Sequence, residues 1–346
     1  MKQLYIIIIF LLLGVSSYSG NPDRQGAAGA YELLMNPWAR SAGLHTLTTA
    51  HIRGVEAMRL NVAGLSRITR TEVLLGHARY LEGSDIKMNA IGLSQKVGEN
   101  GAFGISIMSL DFGDIPVTTT DLPEGTGATF SPNFFHLGLG YSHTFDNKVS
   151  VGILFRGISE STADVGSLGF AIDAGIQYVA GEKDNFKFGI SLRNVGSKMQ
   201  FNGEGLTYSA PNPDDGENLT IQIRSAPFEI PSMLNIGMSY DFWTSDEKHR
   251  ITAVGNFTSN SFSRDQLGAG IEYSFNEQFS LRGAYKIDLN SRVVDDPPSI
   301  YSGLSAGLSI DMPLNNEKGN RFGIDYAYRA TQPFNGTHNL SLRISI

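Results

Sequence analysis

The 346-residue sequence predicts an all-β protein: a transmembrane antiparallel β-barrel of about 14 strands, preceded by an N-terminal segment folded into its lumen. Three observations lead to this prediction. Apolar and polar residues alternate with a period of two along most of the chain. The amino terminus has the pattern of an export signal. The connections between predicted strands are alternately short and long, as in barrels of the outer membrane.

The amino terminus predicts export. Lys2 is followed by an apolar run at residues 4–13 and by small residues at 14–20, the order found in secretory signal peptides. The run is too short to span a bilayer. The chain has no cysteine, and therefore neither a disulfide framework nor a lipid-modified cysteine. We assign residues 1–19 to a signal peptide, 20–70 to a plug segment and 71–346 to the barrel.

Composition narrows the class of protein. Glycine accounts for 39 residues, and charged residues make up 18% of the chain, below the usual share of about 25%. The formal net charge of -7 does not favour nucleic acid as a partner. No Pro/Ser-rich linker or block of charge divides the chain, so we predict a single barrel domain.

The predicted strands have one apolar face and one small or polar face. In residues 168–178 the even positions are apolar or alanine, and the odd positions are small or polar. Residues 234–242 and 267–275 repeat the pattern. A soluble β-sandwich would share this period. The signal peptide, the Gly- and Ser-rich polar face and aromatic residues near strand ends, such as Phe145 and Trp243, favour the membrane barrel.

The strand count and the connections support each other. The predicted strands lie at about 71–80, 85–97, 101–111, 130–145, 147–159, 165–180, 184–195, 228–243, 249–258, 265–276, 278–288, 300–312, 320–329 and 336–346. Short connections, such as Asp146-Asn147, follow even-numbered strands; the long ones at 113–129, 196–227 and 290–299 follow odd-numbered strands. Short turns face the periplasm in such barrels, so we expect both termini on the periplasmic side.

The segment at 21–70 does not alternate cleanly. Its stretches 31–35 and 39–44 mix apolar and small residues, which is typical of a short helical or irregular segment packed inside a barrel. A lumen surrounded by about 14 strands is wider than wall side chains alone can fill. We therefore expect this segment to act as a plug.

Several short stretches resemble signatures of one family of outer-membrane proteins. They are residues 39–44, 56–65, 110–115, 124–127 and 194–199. In this order they are similar to the PorV/PorQ family, relatives of the FadL fatty-acid channels, and the resemblance runs from about residue 25 to the end. Its most specific part is Glu124-Gly125-Thr126-Gly127 with Phe130. Asn61-Val62-Ala63-Gly64 departs from the family's Asn-Pro-Ala-Gly and so lacks the proline that fixes φ.

This resemblance implies a FadL-like barrel of 14 strands with a plug, in the bacterial outer membrane. For PorV-type members it also implies a role in type IX secretion, in which the barrel binds secreted cargo proteins, the translocon, or both. We therefore expect a non-enzymatic protein, surrounded by outer-membrane lipid and without a cofactor. The alternative is a FadL-like channel for small hydrophobic molecules whose plug moves to open a path. Gly/Ser-rich inner faces favour the first hypothesis, because they offer few apolar side chains for a lumen pocket.

Apolar residues in the outward loops are the candidate contacts for a protein partner. In or beside the first and second long loops they are Ile115, Val117, Leu122, Phe130, Leu206, Tyr208, Leu219, Ile221, Ile223 and Phe228. The alternation of Leu219, Ile221 and Ile223 predicts a strand projecting above the membrane, whose edge is suited to pairing with another chain. The alternative is that these residues pack the loops together.

Motifs for catalysis and metal binding have little support. Gly303-Leu304-Ser305-Ala306-Gly307 fits the nucleophile-elbow pattern, but the alternation continues through it as a strand without the required turn into a helix. The seven histidines are scattered, and no metal site is predicted from them. The acidic residues at 214–218 lack the spacing of an EF-hand, and we interpret them as a solvated loop. Residues 295–298 predict a turn.

Overall fold

A computed structural model describes residues 21–212, 214, 216–289, 299–315 and 319–346. The predicted signal peptide, the turn at 295–298 and most of the loop at 290–299 lie outside these residues. Within the described ranges, no helix is long and apolar enough to cross a membrane.

Fourteen antiparallel strands close into a barrel. The barrel strands are β1 (Thr71–Tyr80), β2 (Ile86–Val97), β3 (Gly101–Asp111), β6 (Asn133–Phe145), β7 (Val149–Thr162), β8 (Val165–Ala180), β9 (Phe186–Gly196), β12 (Met233–Trp243), β13 (His249–Asn260), β14 (Gln266–Phe275), β15 (Phe279–Asp288), β16 (Tyr301–Asn315), β17 (Asn320–Thr331) and β18 (Thr337–Ser345). Two hairpins stand apart from the wall: β4 (Ile115–Pro116) with β5 (Thr129–Phe130), and β10 (Thr207–Pro211) with β11 (Asn218–Gln222).

The first and last barrel strands complete the closure. β1 pairs with β18 over a register that places Glu72 opposite Ser345 and Arg79 opposite His338. Every wall strand thus has two neighbours, which satisfies the backbone hydrogen bonds that lipid cannot supply. This confirms the predicted fold class.

The direction of the apolar faces distinguishes a membrane barrel from a soluble sandwich. Leu168 and Phe170 on β8 are 73% and 71% exposed, whereas the intervening Gly169 is buried against the plug. The apolar residues thus lie on the outer surface and the small or polar residues face inward. A sandwich would bury its apolar faces between two sheets. The arrangement matches a bacterial outer-membrane barrel with its greasy face in lipid.

Two predicted strand starts were too early, for a shared physical reason. β6 begins at Asn133, because Phe130 pairs with Ile115 in the first loop hairpin. β12 begins at Met233, because Phe228 forms an isolated bridge with Met199 beside the plug. In both places, apolar alternation continues from the wall into a loop.

The plug enters from the side opposite to the one we expected. The backbone N–H of Asn21 donates to the Asn260 carbonyl at 3.4 Å, at the loop end of β13. The chain then runs through the lumen and reaches β1 at the periplasmic end, where Thr71 N donates to the Ile346 carbonyl at 3.1 Å. The prediction of two periplasmic termini therefore fits the start and end of the barrel wall but is wrong for the first described residue.

The plug consists of short elements joined by irregular chain. It contains two four-residue α-helices and four 3-10 turns, at Ala39–Ala42, Ala57–Leu60, Pro22–Arg24, Tyr31–Leu34, Gly54–Glu56 and Val62–Ser66. None is long enough to be stable alone. The conformation of the plug therefore depends on its contacts with the wall.

The wall glycines give the plug backbone room to touch the barrel. A Cβ added at Gly189 would collide with the Thr49 carbonyl, and one added at Gly175 would collide with the Asn61 side chain. Gly152 faces the Val62 backbone in the same way. These glycines account for part of the Gly-rich inner face.

Candidate functional site

Polar wall side chains hold the plug by its backbone carbonyls. Gln177 Nε2 donates to the Ile52 carbonyl at 2.9 Å, and Ser191 Oγ donates to the Leu60 carbonyl at 2.8 Å. Ser142 Oγ donates to the carbonyl of Ala63 at 2.7 Å. Irregular chain leaves carbonyls without secondary-structure partners, and a buried carbonyl needs one. The small polar residues of the inner face meet that need.

The outer half of the lumen is apolar. Plug and wall residues form one cluster there, which consists of Ala30, Leu33, Ile158, Ala171, Met199 and Ile230, with Phe228 packed against it. A second cluster surrounds Trp38 of the plug and includes Leu74, Met88 and Leu110 from the wall. The expectation that the lumen offers few apolar side chains is therefore wrong for this half.

The first residues of the plug are attached to the second long loop. Ala28 forms a parallel bridge with Glu229, and Gly29 N donates to the Glu229 carbonyl at 3.0 Å. Arg24 Nη2 lies 2.9 Å from Glu229 Oε2 and stacks 4.1 Å from the ring centre of Phe262. These contacts are half exposed, so they close the outer mouth with exchangeable interactions.

A buried polar cluster lies between plug and wall below the apolar residues. Arg59 Nη1 lies 3.4 Å from His136 Nδ1, and His136 Nε2 lies 3.1 Å from Glu32 Oε1. Because Arg59 can only donate, the consistent tautomer carries its proton on Nε2 and donates it to Glu32. Burial, together with the charge of nearby Glu160, raises the pKa of Glu32 to about 8.

The inner half of the lumen contains a polar cavity of about 260 Å³ at its periplasmic end. Ion pairs of the wall line it: Glu272 accepts from Arg250 at 3.0 Å and from Arg282 at 2.5 Å, and Lys187 pairs with Asp241. The plug contributes its own charged residues to the lining. The lumen is thus divided into an apolar, filled outer half and a polar inner half that contains open space.

In the first long loop, the predicted partner residues lie on a small hairpin. Ile115 and Leu122 are exposed, whereas Val117 and Phe130 are half-buried. Val117 N donates to the Ala128 carbonyl at 2.8 Å, which extends the pairing of β4 with β5. The loop is therefore an ordered projection.

The second long loop contains the predicted projecting strand. Tyr208 on β10 lies opposite Ile221 on β11, and Ala210 lies opposite Leu219, so their side chains share one face of the hairpin. Tyr208, Leu219, Ile221 and Ile223 are 38% to 55% exposed, and Leu206 is half-buried. Phe228 faces the plug instead and is part of the lumen cluster. The structure thus groups five of the six predicted residues of this loop.

The motifs considered for chemistry lie in structural positions. Ser305 is buried within β16, and its Oγ donates to the Gly43 carbonyl of the plug at 3.1 Å. No elbow is formed there, because a strand continues on both sides. No group of three or more metal-binding side chains occurs among the described residues, which include only part of the acidic stretch at 214–218.

The fold and the plugged lumen define a bacterial outer-membrane β-barrel with 14 strands. No family model and no curated protein sequence matches the chain. Three solved structures share the fold. The CymD monoaromatic hydrocarbon channel has a TM-score of 0.55 at 15% identity, covering 90% of this chain and 96% of that one.

The other two are a toluene transporter and a FadL homologue. The Ralstonia pickettii toluene transporter TbuX has a TM-score of 0.53 at 12% identity, covering 90% of this chain and 97% of that one. A Pseudomonas aeruginosa FadL homologue has a TM-score of 0.51 at 12% identity, covering 90% and 98%. The barrel is therefore FadL-like, and at these identities the likeness extends to the fold.

Sequence analysis did not single out the lumen residues. Arg40, Arg53 and Arg67 all line the inner cavity, and Glu32 lies in the buried cluster above it. One signal was present: these charges occur in a 50-residue segment that was predicted to be enclosed. Enclosed charged residues require partners or a ligand.

Proposed function

We propose that the protein is an outer-membrane channel for small hydrophobic molecules. The observation that carries this proposal is the apolar outer half of the lumen, which the plug itself fills through Ala30 and Leu33. If the first plug residues are displaced, wall residues Ile158, Ala171 and Met199 become an apolar surface inside the barrel. A pocket of this kind, with few polar groups, binds hydrophobic molecules.

The attachment of the plug also supports a gate at this place. Its first residues are held at the mouth by Arg24 with Glu229, both about 40% exposed, and by two backbone contacts to the loop. Farther along, the plug is held by buried side chains such as Gln177 and Ser191. Exposed ion pairs contribute little free energy, so the outer end of the plug can open first. The solved channels that share the fold include two described as carrying monoaromatic hydrocarbon or toluene.

A disulfide lock tests this gate. Ala28 and Glu229 are bridge partners, and the chain has no native cysteine, so an Ala28→Cys/Glu229→Cys variant contains a single pair. Cells with this barrel as their only channel of the fold would be given radiolabelled toluene. We expect oxidation to reduce uptake to the level of cells without the barrel, and dithiothreitol to restore it.

The single variants Ala28→Cys and Glu229→Cys are the controls, since each changes one side chain without forming a lock. Both are expected to take up toluene at the parental rate under oxidising conditions. Uptake that is unchanged in the oxidised double variant, with the disulfide verified by mass, would contradict gating by this segment.

We also propose a second function, binding of an exported protein through the β10–β11 hairpin. The observation in its favour is the apolar face formed by Tyr208, Leu219, Ile221 and Ile223, which stands outside the barrel and is exposed. Exposed apolar faces of this kind mark contact sites between proteins. The resemblance to PorV-type proteins suggests secreted cargo or a type IX translocon as the partner.

Loop replacement tests the second function. The base of the loop is closed by Gln200 Nε2, which donates to the Ser225 carbonyl at 2.5 Å, and by Ser225 Oγ, which donates to the Phe201 carbonyl at 2.7 Å. Residues 203–224 can therefore be replaced by a short Gly/Ser bridge without removing a wall hydrogen bond. We expect normal barrel assembly and loss of co-purified exported protein.

A matched pair of smaller variants separates surface from structure. Leu219→Ser/Ile221→Ser changes the apolar face, and Thr220→Ser/Gln222→Ser changes the opposite face of the same strand. Loss of partner in the first variant alone supports recognition by the apolar face. Equal recovery of partner from both would reject it and leave the channel as the function.

A further inference from the structure

The periplasmic end of the lumen has more positive charge than its own partners neutralise. The cavity of about 260 Å³ adjoins a second one of about 320 Å³. Charged residues that line both are four arginines and two carboxylates: Arg40, Arg53, Arg67, Arg343, Glu277 and Asp311. We call this space the vestibule.

The main wall carboxylate of the vestibule is already occupied. Asp311 Oδ1 lies 2.8 Å from Arg321 Nε, and its Oδ2 lies 2.6 Å from Arg343 Nη2. Glu72, which lines the second cavity, accepts a hydrogen bond from Val55 N at 2.7 Å. Neither carboxylate is therefore available as the dedicated partner of a plug arginine.

The plug arginines are poorly neutralised. Arg40 Nε is 3.8 Å from Glu56 Oε1, beyond hydrogen-bonding distance, and Arg67 Nη2 donates to the Lys148 carbonyl at 3.1 Å. Within the described part of the chain, the Arg53 guanidinium makes no hydrogen bond and no ion pair, and it is exposed to the cavity. Arg343, only 5% exposed, also keeps Nη1 without a hydrogen bond.

The surroundings of Arg53 disfavour an isolated cation. Enclosure in the lumen lowers the pKa of Arg53 to about 10, and the charges of Arg40, Arg343 and Arg250 act in the same direction. Like charges gathered in a water-filled cavity of this size attract a counter-ion. A planar guanidinium binds carboxylate or phosphate through two parallel hydrogen bonds.

We propose that the vestibule binds a small oxyanion, a carboxylate or phosphate carried by a soluble molecule, between Arg53 of the plug and Arg343 of the wall. Both cavities are at or below the usual size of sites for drug-sized ligands, so the ligand is small. Binding bridges plug and wall and therefore stabilises the seated plug. This proposal does not depend on which molecule passes the outer half.

Calorimetry on the full-length barrel in a zwitterionic detergent tests the site. Inorganic phosphate and citrate are the probes at low ionic strength, and glycerol is the neutral control. We expect the anions to bind and glycerol not to bind. Arg53→Gln is expected to weaken anion binding at least about tenfold, since it removes a charged hydrogen-bond donor. Added sodium chloride is expected to weaken binding through screening.

The matched control is Arg224→Gln, which removes an exposed arginine from the outer loop at the opposite end of the barrel. It is expected to bind both anions like the parent. A second readout is amide exchange of residues 40–66, which phosphate or citrate is expected to slow in the parent and in Arg224→Gln but not in Arg53→Gln. Unheated gel migration verifies that each variant is a folded barrel.

Two results would overturn the proposal. One is equal anion affinity of the parent and Arg53→Gln, or no binding by either. The other is slower exchange with vesicles containing phosphatidylglycerol, relative to phosphatidylcholine, when soluble phosphate and citrate have no effect. That second result would identify a lipid headgroup as the source of the anion.

Discussion

The side chain of Asn61 in the plug donates a hydrogen bond to the carbonyl of Ile176 on β8 at 3.1 Å. The same amide donates to the Thr49 carbonyl at 2.8 Å, and Oδ1 accepts from Ala63 N at 3.2 Å, which caps the turn Val62–Ser66. One side chain thus joins two plug segments to the wall. The family's proline, replaced here by Val62, is compensated at this position by the asparagine cap.

Asn61→Ala is therefore expected to loosen the plug while the barrel stays folded. Loss of a cap and of buried hydrogen bonds costs about 1–3 kcal/mol, which corresponds to about tenfold or more faster amide exchange in residues 45–66. Hydrogen exchange measured by mass spectrometry reports this directly. Unchanged exchange in the plug, or equally accelerated exchange in the wall strands, would contradict the role of Asn61.

Gly189→Leu is expected to displace the plug, because a side chain at this position collides with the Thr49 carbonyl. Conductance in planar bilayers should rise above that of the parent as the lumen opens. Gly283→Leu is the matched control, since Gly283 is on the outer surface with no atom near its missing Cβ. Equal conductance in the two variants would show that the plug does not rest on Gly189.

Leu139→Arg is expected to destabilise insertion, because Leu139 on β6 is 51% exposed on the lipid face. An arginine near the middle of the bilayer costs about 2–4 kcal/mol. Gly140→Arg points inward against Leu65 and Val62 and is expected to disturb the plug instead. Folding into lipid vesicles, titrated with urea, compares the two. Insertion of Leu139→Arg at parental stability would reverse the assignment of faces.

The plug is expected to loosen as pH rises, because of Glu32. Its pKa is raised to about 8 by burial and by Glu160, whereas a released Glu32 ionises near 4.5. The seated form thus binds the proton more tightly, and its stability falls as pH rises from about 4.5 to about 8. Above about pH 6.5, His45 and His51 of the plug do not contribute, because burial lowers their pKa values and both stay neutral.

Limited proteolysis of the plug between about pH 6.5 and about pH 9 measures this effect. The parent is expected to become more susceptible across this range. Glu32→Gln, which keeps the shape of the side chain beside His136 and Arg59 without a titrating proton, is expected to show a flat profile. The control Glu204→Gln alters an exposed loop carboxylate and is expected to follow the parent. A pH profile for Glu32→Gln that matches the parent would reject Glu32 as the titrating group.

Most of the wall could be predicted from the sequence. The predicted strands at 71–80, 101–111 and 165–180 coincide with β1, β3 and β8. Alternation is sufficient for this purpose, because a side-chain period of two places every second residue in lipid and a one-residue shift would invert every face. Alternation could not show where the wall ends, since the loop residues Phe130 and Phe228 continue the pattern while they pair above it or pack on the plug.

The lumen could not be predicted in the same way, because its contacts join residues far apart in the chain. Asn61 meets Ile176 across 115 positions, and Arg53 approaches Arg343 only after the barrel closes. The direction in which the plug enters, from Asn260 toward Thr71, is set by such contacts and not by any local pattern. The sequence by itself determined the strands and their faces, since each follows from the local preference of side chains for lipid or lumen. Only the tertiary structure decided which charges remain unpaired and which apolar residues the plug covers, because pairing and cover depend on groups brought together by closure of the barrel.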